Sequence, residues 1–210
     1  MLDLSVIVPV YNMAKNGNLK YCINSLVGQT LQSMEIIAVD DASTDCSLTI
    51  LREFEKRYPG RVKVVVSPEN RKQGGARNLG LREAQGRYIG FMDADDWVVE
   101  NLYERMVERA KKTGADVVGT DMSRVYEHTM IPAQREACNF HSQTGILDHK
   151  IRKEYLLHPG PLGTKIYARG IFFDKEFRFP EHMSYEDNAT FVEIGMRMKH
   201  FEGECILLSA

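Results

Sequence analysis

The amino-acid sequence predicts an α/β protein with a mostly parallel central sheet, helices on both faces of that sheet, and a mixed C-terminal half. Two observations support this prediction. Over the first ~120 residues, short apolar runs alternate with amphipathic helical patterns, which is typical of βαβ units. Several of these runs are apolar at nearly every position, as expected of strands that a parallel sheet buries on both faces.

Five strands and four helices are expected in this first part. The strands are expected at residues 4–10, 35–39, 62–66, 87–92 and 116–120. The helices are expected at residues 19–27, 48–58, 75–85 and 102–110. In the first helix, apolar residues spaced three and four apart form one stripe, which predicts packing against the sheet.

Residues that favour helix ends mark two of these helices. Ser43 or Thr44 is expected to cap the second helix, and Pro59-Gly60 is expected to close it. Gly114 is expected to end the fourth helix.

The second half of the chain has weaker patterns. Residues 123–145 are polar and show no clean period. Beyond them we expect a helix over 146–157, a break at 158–161, a mixed element over 165–173, a helix over 188–198 and a starting strand at 205–208. An apolar strand at the very end indicates that the natural protein continues beyond residue 210.

Composition excludes several classes of protein. Of 210 residues, 43% are hydrophobic and 27% charged, which fits one ordinary folded domain rather than a disordered or fibrous chain. The formal net charge of −2 gives no global basic field, so a nucleic-acid partner is not expected. Pro9 interrupts the first apolar run, and no run approaches the ~20 residues of a membrane span, so a soluble cytoplasmic protein is expected.

Cysteine usage agrees with a reducing compartment. The four cysteines form no CxxC pair, and the expected state is reduced, scattered thiols. They are Cys22, Cys46, Cys138 and Cys205.

Acidic residues gather after the second and fourth strands. Asp40 and Asp41 end the second strand, and Asp93, Asp95 and Asp96 follow the fourth. Adjacent carboxylates repel one another unless a cation or hydrogen-bond donors compensate. Turn formation explains one aspartate per turn well, but it explains three within four residues poorly. Because Mg²⁺ and Mn²⁺ prefer oxygen ligands, often together with phosphates, the pattern points to a metal-bound diphosphate.

Two further features suit a nucleotide. The segment around Gly75 and Arg77 offers glycines for close approach, a following helix with free N–H groups, and a cation for phosphate. No Gly-Lys-Ser/Thr follows, so the segment is not a P-loop. Tyr11 follows the first strand, where it can stack on a planar base or act as an ordinary rim aromatic.

An acidic pair, Glu186 and Asp187, precedes the last predicted helix. An acid at this position is commonly a helix cap, and over a cleft it is also a candidate general base. The residues alone leave both interpretations open.

Four segments together resemble family 2 glycosyltransferases. The segments are residues 5–12 (SVIVPVYN), 40–45 (DDASTD), 75–80 (GARNLG) and 93–97 (DADDW). A weaker similarity to bacterial members continues at residues 163–167 (GTKIY), with Thr164 where Asn is common, and at Glu186-Asp187.

The resemblance implies a GT-A fold, with residues 1–121 as the nucleotide-sugar-binding half and 122–210 as the acceptor-binding half. It also implies an inverting reaction, a Mn²⁺ or Mg²⁺ ion, and a nucleotide-sugar donor, with UDP favoured. The implied acceptor is a glycan or lipid-linked hydroxyl in polysaccharide, lipopolysaccharide or cell-wall synthesis, which allows peripheral association with the cytoplasmic membrane face.

The same resemblance assigns roles to individual residues. Pro9 and Tyr11 would border the base, Asp41 would bind its edge, and Asp40 would support that site. Gly75 and Arg77 would lie near the diphosphate or base. Asp93 and Asp95 would form the metal motif with Asp96 as a further contact, and Asp187 would be the catalytic base with Glu186 beside it. The residues with these implied roles are Pro9, Tyr11, Asp40, Asp41, Gly75, Arg77, Asp93, Asp95, Asp96, Glu186 and Asp187.

Two rival functions remain. A sugar-nucleotide nucleotidyltransferase would show a Gly- and Arg/Lys-rich signature after the first strand, where this chain has residues 11–14 (YNMA). A non-catalytic binding scaffold with the same fold should have lost the Asp93/Asp95 pair or Asp187, and this chain retains them.

Overall fold

The computed structural model describes residues 2–125, 132–173 and 177–204. Its ten strands are β1 Leu4–Val10, β2 Met34–Asp40, β3 Val62–Val66, β4 Tyr88–Phe91, β5 Val117–Thr120, β6 Met122–Val125, β7 Pro132–Glu136, β8 Gly145–Ile146, β9 Lys165–Ala168 and β10 His200–Glu204. Its seven α-helices are α1 Asn18–Val27, α2 Ser47–Arg57, α3 Lys72–Glu83, α4 Leu102–Thr113, α5 His149–Leu157, α6 Gly170–Phe173 and α7 Glu186–Arg197.

Eight strands form one sheet in the order β3-β2-β1-β4-β9-β5-β10-β8. The first four of these pair in parallel. β9 runs antiparallel between β4 and β5, and β8 pairs antiparallel with β10. β6 and β7 form a separate antiparallel pair. The predicted mostly parallel sheet with a mixed C-terminal part is therefore confirmed.

Helices cover both faces of the sheet. All seven residues of β1 are buried, because the alternating side chains of a strand point to opposite faces and both faces are covered. Leu4, Val6 and Val8 pack in the core that includes buried side chains of α1, α2 and α4. Ile7 packs in the opposite core, with buried side chains of α3, α5, α6 and α7.

The local predictions hold for most elements of the first half. The five predicted strands correspond to β1 to β5. The predicted capping of α2 by Ser43 or Thr44 is wrong, because the helix starts at Ser47, and Asp45 Oδ1 accepts the Ser47 N–H at 2.9 Å. The predicted stop at Gly114 is confirmed, since this residue adopts a left-handed conformation with φ of 72°.

The second half differs more from expectation. The stretch 123–145 holds most of the β6–β7 pair, and the helix expected from residue 146 starts at His149 because residues 145–146 join the sheet. The last helix starts at Glu186, two residues before its predicted start. The strand expected at residues 205–208 lies outside the described residues, and the strand before it is β10.

Three cysteines of the described segments, Cys22, Cys46 and Cys138, are free thiols, as expected, and Cys205 lies outside these segments. Within the described ranges, the helices are too short or too polar for any of them to cross a bilayer.

Candidate active site

A cleft of about 420 Å³ lies beyond the carboxyl ends of β1, β2 and β4, and we call it the first cleft. This is where parallel sheets generally bind ligands. Five of the residues singled out in the sequence line it: Pro9, Tyr11, Asp41, Asp93 and Asp95. Asn70, Lys72, Gln73 and Ala76, from the end of the β3–α3 loop and the start of α3, line it as well.

Asp41 is the buried carboxylate of the first cleft. Only 2% of it is exposed, and its two oxygens accept the Arg71 N–H at 3.0 and 3.1 Å. Burial raises the pKa of Asp41, and hydrogen bonds from the N–H groups of Arg71 and Lys72 oppose that rise. A carboxyl held in this way is suited to accept a hydrogen bond from a ligand N–H.

Asp40 faces a different environment, although it precedes Asp41 in the chain. Its Oδ2 accepts the Ser43 N–H at 3.2 Å, and it does not line the cleft. Its buried Oδ1 has no hydrogen-bond partner among the described residues. Asp40 therefore supports the turn after β2 rather than facing a ligand directly.

Tyr11 is 47% exposed, and the loop that follows it is held by hydrogen bonds to the turn after β2. The Met13 N–H donates to Ser47 Oγ at 2.8 Å, and the Ala14 N–H donates to Asp45 Oδ2 at 2.9 Å. These bonds fix the loop beside Tyr11, and the exposed part of Tyr11 lines the first cleft, where it can stack on a planar group.

A second cleft, of about 390 Å³, adjoins the first. Asp93 and Asp95 line both clefts, and Asp96 and Trp97 line only the second. Its far wall comes from β6 and from the turn before β9: Met122, Ser123, Arg124, Val125, Pro161, Gly163 and Thr164. Two molecules, one bound in each cleft, would therefore meet at the carboxylates of Asp93 and Asp95.

The carboxylates at this junction carry incompletely compensated negative charge. Burial raises the pKa of Asp93, Arg77 opposes the rise, and Asp95 and Asp187 add to it. Asp96 is exposed to solvent and lines the second cleft, where desolvation by the surrounding protein atoms, together with the charges of Asp93 and Asp95, raises its pKa to about 6. An added cation would relieve this repulsion.

The carboxylate ligands at this junction fit a hard divalent cation that takes some of its other oxygen ligands from a bound substrate. Within the segments described, no group of three or more His, Cys, Asp or Glu side chains is arranged as a ready metal site. The predicted set of Asp93, Asp95 and Asp96 is therefore not a complete cage. One or two carboxylates plus phosphate oxygens is the usual arrangement for Mg²⁺, and the residues present fit that arrangement.

Gly75 and Arg77 do not line either cleft. The expected glycine loop before the helix is wrong, because α3 already starts at Lys72. A Cβ on Gly75 would lie 2.2 Å from the Arg71 Cβ, so this glycine serves close packing within the protein. Sequence reasoning missed Lys72 and Gln73 because Gly74-Gly75 obscured the start of the helix.

Arg77 is buried beneath Asp93, to which its Nη2 donates at 3.3 Å. Its guanidinium also lies 5.9 Å from the ring centroid of Phe91 and 5.7 Å from that of Phe179. Arg77 therefore acts on the site through Asp93, by lowering the pKa of that carboxyl.

Asp187 is the second residue of α7. It lies near enough to Asp93 and Tyr167 to raise the pKa of both, in each case less than burial does. Tyr185, not Asp187, holds the N-cap position, and Asp187 Oδ1 accepts the adjacent Asn188 N–H at 2.9 Å. Glu186 starts the helix. Asp187 thus lies near Asp93, and it lines neither cleft.

Comparison with known proteins shows a family and relatives to which this chain is similar. A family model described as glycosyl transferase family 2 matches residues 5–172. The uncharacterized glycosyltransferase EpsJ of Bacillus subtilis (strain 168) is 32% identical over 197 residues, which cover 89% of this chain and 55% of EpsJ. This chain therefore spans about half the length of that relative.

Solved structures agree on the fold. TarS of S. aureus in complex with UDP-GlcNAc superposes with a TM-score of 0.77 at 24% identity, covering 97% of this chain and 56% of that chain. The mannosyltransferase PcManGT from Pyrobaculum calidifontis, in complex with GDP-Man and Mn²⁺, gives 0.70 at 18% identity, covering 98% and 56%. The fold is thus the GT-A type expected, and because the family model matches more than half of its residues, this chain belongs to glycosyl transferase family 2.

Proposed function

We propose that this chain is an inverting glycosyltransferase domain that moves a sugar from a nucleotide-sugar donor, with UDP as the expected nucleotide, to an acceptor hydroxyl. The observation that carries the proposal is the pair of clefts that meet at Asp93 and Asp95. Donor in the first cleft and acceptor in the second would bring the two reacting groups together at one set of carboxylates. Such positioning is itself a large source of rate enhancement.

The residues of the first cleft would bind the donor. Tyr11 would stack on the base, with Pro9 at its border, and the buried Asp41 would accept a base N–H. Lys72 lies in the same cleft and would attract the diphosphate. UDP-GlcNAc in TarS and GDP-Man in PcManGT support a nucleotide-sugar donor for this fold.

Asp95 and Asp93 would hold a Mn²⁺ or Mg²⁺ ion, with Asp96 as a further contact. When bound, such a cation stabilises the negative charge that develops on the leaving nucleoside diphosphate. The Mn²⁺ in PcManGT supports this assignment, and so does the raised pKa of Asp96, to which burial contributes most and the charges of Asp93 and Asp95 add.

Asp187 would take the proton from the attacking acceptor hydroxyl at one of its carboxylate oxygens. Attack on the face opposite the leaving diphosphate inverts the anomeric carbon. General-base assistance of this kind contributes typically 10²–10⁴-fold to the rate. Glu186 would lie beside the base in the first turn of α7.

The second cleft would receive the acceptor. Trp97 offers an aromatic wall, and Ser123 offers a hydroxyl group for hydrogen bonds. A glycan or lipid-linked acceptor of polysaccharide or cell-wall synthesis suits such a cleft. Synthesis on such an acceptor would place the protein in the cytoplasm or at the cytoplasmic face of the membrane.

A donor screen tests the proposal. Purified protein is incubated with UDP-, GDP- and dTDP-sugars and Mn²⁺, and released nucleoside diphosphate is measured with and without a chelator. We expect release from a UDP-sugar that the chelator abolishes. Binding of UDP without release from any donor would favour the non-catalytic scaffold instead.

Asp95→Asn probes the metal part of the same assay. The variant should lose most of the Mn²⁺ dependence of UDP affinity, because the amide carries no charge to hold the ion. Glu108→Gln, at an exposed carboxylate on α4 that lines neither cleft, is the matched control and should keep the wild-type dependence. Equal UDP affinity with and without Mn²⁺ in the wild type would reject the metal assignment.

A further inference from the structure

One part of the 75–80 segment has no role in the proposed chemistry. Asn78 is buried in α3, with 3% of its surface exposed, and lines neither cleft. Its Nδ2 donates to the Phe179 carbonyl at 2.9 Å and to Glu181 Oε1 at 3.0 Å, and its Oδ1 accepts the Phe179 N–H at 2.9 Å. One side chain thus makes three hydrogen bonds to a segment about a hundred residues further along the chain.

Arg71, which is hydrogen-bonded to Asp41 in the first cleft, makes a second connection to the same segment. The Arg71 N–H donates to Asp41, while the Arg71 carbonyl accepts the His182 N–H at 3.0 Å. The Arg71 guanidinium also lies 3.6 Å from Glu181 Oε2. The residue that holds Asp41 therefore also holds the chain that leads to α7.

The path from this anchored segment to Asp187 is short and conformationally unusual. His182 and Tyr185 have φ angles of 60° and 61°, in the left-handed region that residues other than glycine rarely adopt. Such a conformation persists only where surrounding contacts impose it. Buried Phe191 and Ile194 hold the later turns of α7 in the core, and the contacts at 179–182 hold the segment that leads to its start.

We propose that Asn78 is a positioning residue, which joins α3 to residues 179–182 and thereby sets where Asp187 lies relative to the Asp93–Asp95 junction. The inference rests on the proposed function, in which Asp187 acts as the base. In this role, Asn78 links the half that binds the donor to the helix that carries the base.

Asn78→Asp tests the proposal at pH 8. The substitution keeps the size of the side chain but replaces the amide donor with a carboxylate that faces the Phe179 carbonyl and Glu181. We expect backbone amides in residues 177–190 to exchange hydrogen for deuterium at least tenfold faster. With Mn²⁺ and a UDP-sugar, turnover should fall at least tenfold while UDP affinity changes less than threefold.

Gln29→Glu is a matched control. Gln29 is equally buried, with 2% exposed; its Nε2 donates to the Ser25 and Val99 carbonyls, and its Oε1 accepts the Tyr103 N–H. The same amide-to-carboxylate change there also replaces a donor facing backbone carbonyls, but it should leave exchange in residues 177–190 unchanged. If Gln29→Glu accelerates that exchange as much as Asn78→Asp does, the effect is general loosening and the proposal fails.

The double variant Asn78→Asp/Glu181→Gln provides a rescue. The amide introduced at position 181 can donate to the new carboxylate, which restores one hydrogen bond between α3 and residues 179–182 with reversed polarity. Turnover should recover at least threefold over Asn78→Asp alone. No recovery would show that the loss does not arise from this contact.

Hydrogen–deuterium exchange and turnover test the inference and the proposed function separately. A wild type that releases no nucleoside diphosphate would reject the proposed function, and the exchange data would still decide whether Asn78 holds the segment. Faster exchange in Asn78→Asp with wild-type turnover would overturn the positioning role.

Discussion

Asp187 has neighbours that bear on its proposed role as the base. It occupies the second position of α7, where an acid commonly stabilises the helix N-terminus. It also influences the pKa of Asp93, which lines both clefts. The sequence left a cap and a general base equally open, and the proximity to Asp93 favours the base.

Asp187→Asn separates these two roles. Asn serves at a helix N-terminus about as well as Asp but cannot take a proton, so turnover should fall by roughly 10²–10⁴-fold while UDP affinity stays within a few-fold. Turnover and affinity are measured together with the melting temperature. Asp148→Asn is the matched control, because Asp148 caps α5 by accepting the Ile151 N–H and lines neither cleft. Near wild-type turnover in Asp187→Asn would reject the base and direct attention to Glu186.

Residues of the first cleft were predictable where they follow a strand directly. Asp41 and Asp93 lie beyond the ends of β2 and β4, so locating the strands located the carboxylates. Lys72 and Gln73 were not found, because their place in the cleft depends on α3 starting before two glycines. Helix propensity disfavours Gly in the first turn, and packing against Arg71 overrides that preference.

At the scale of elements, β1 to β5 followed from local apolar runs, but β9 did not. β9 lies between β4 and β5 and pairs antiparallel with both, although it is far from them in sequence. A strand's own residues indicate that it is buried, and its neighbours depend on tertiary contacts that no local pattern records. The β6–β7 pair was missed for the related reason that its short strands, of which β6 is only partly buried, show no apolar period.

The contact between α3 and β1 can be tested at Gly80. A Cβ added there would lie 2.4 Å from Ile7 Cγ2, closer than atoms can approach. Gly80→Ala should therefore lower the free energy of unfolding by about 1–3 kcal/mol, measured by urea titration, even though Ala is the better helix former.

Ile7→Ala supplies the matching background for that experiment, because it removes the methyl group that the new Cβ would meet. The cost of Gly80→Ala should shrink or change sign in this background, as expected of residues in direct contact. Equal costs in both backgrounds would mean that the helix shifts away from the strand and that the close approach is not required.

At the scale of the whole molecule, the two predicted halves share one sheet. Residues 165–168 and 200–204 from the second half continue the sheet that the first half begins, so residues 1–121 and 122–210 are parts of one framework. Lys165, the first residue of β9, lies inside this shared framework with 1% of its surface exposed. Its Nζ donates to the Pro161 carbonyl and to Thr164 Oγ1, each at 3.2 Å.

This buried lysine makes the stability of the molecule depend on pH. Burial lowers the pKa of Lys165 to about 7, against 10.5 for an ordinary lysine, although Cys138 and Asp121 oppose the shift. Between these two values the unfolded chain binds more protons than the folded one, so stability rises as pH increases. Below about 7 both states are protonated, and the folded state carries the full cost of a buried charge.

Lys165→Met removes the lysine titration, and the variant keeps Cys138 and Asp121, which interact with Lys165 in the wild type. The free energy of unfolding of the wild type, relative to Lys165→Met, should rise by about 3 kcal/mol between pH 7 and pH 9.5, at 1.36 kcal/mol for each full pH unit. Urea unfolding of both proteins at several pH values in this interval measures it. The wild type is expected to be the less stable protein at pH 7, where the methionine side chain of the variant would fill the same space without a charge. A difference that stays constant with pH would mean that Lys165 remains protonated in the folded protein, where the charge of Asp121 stabilises it.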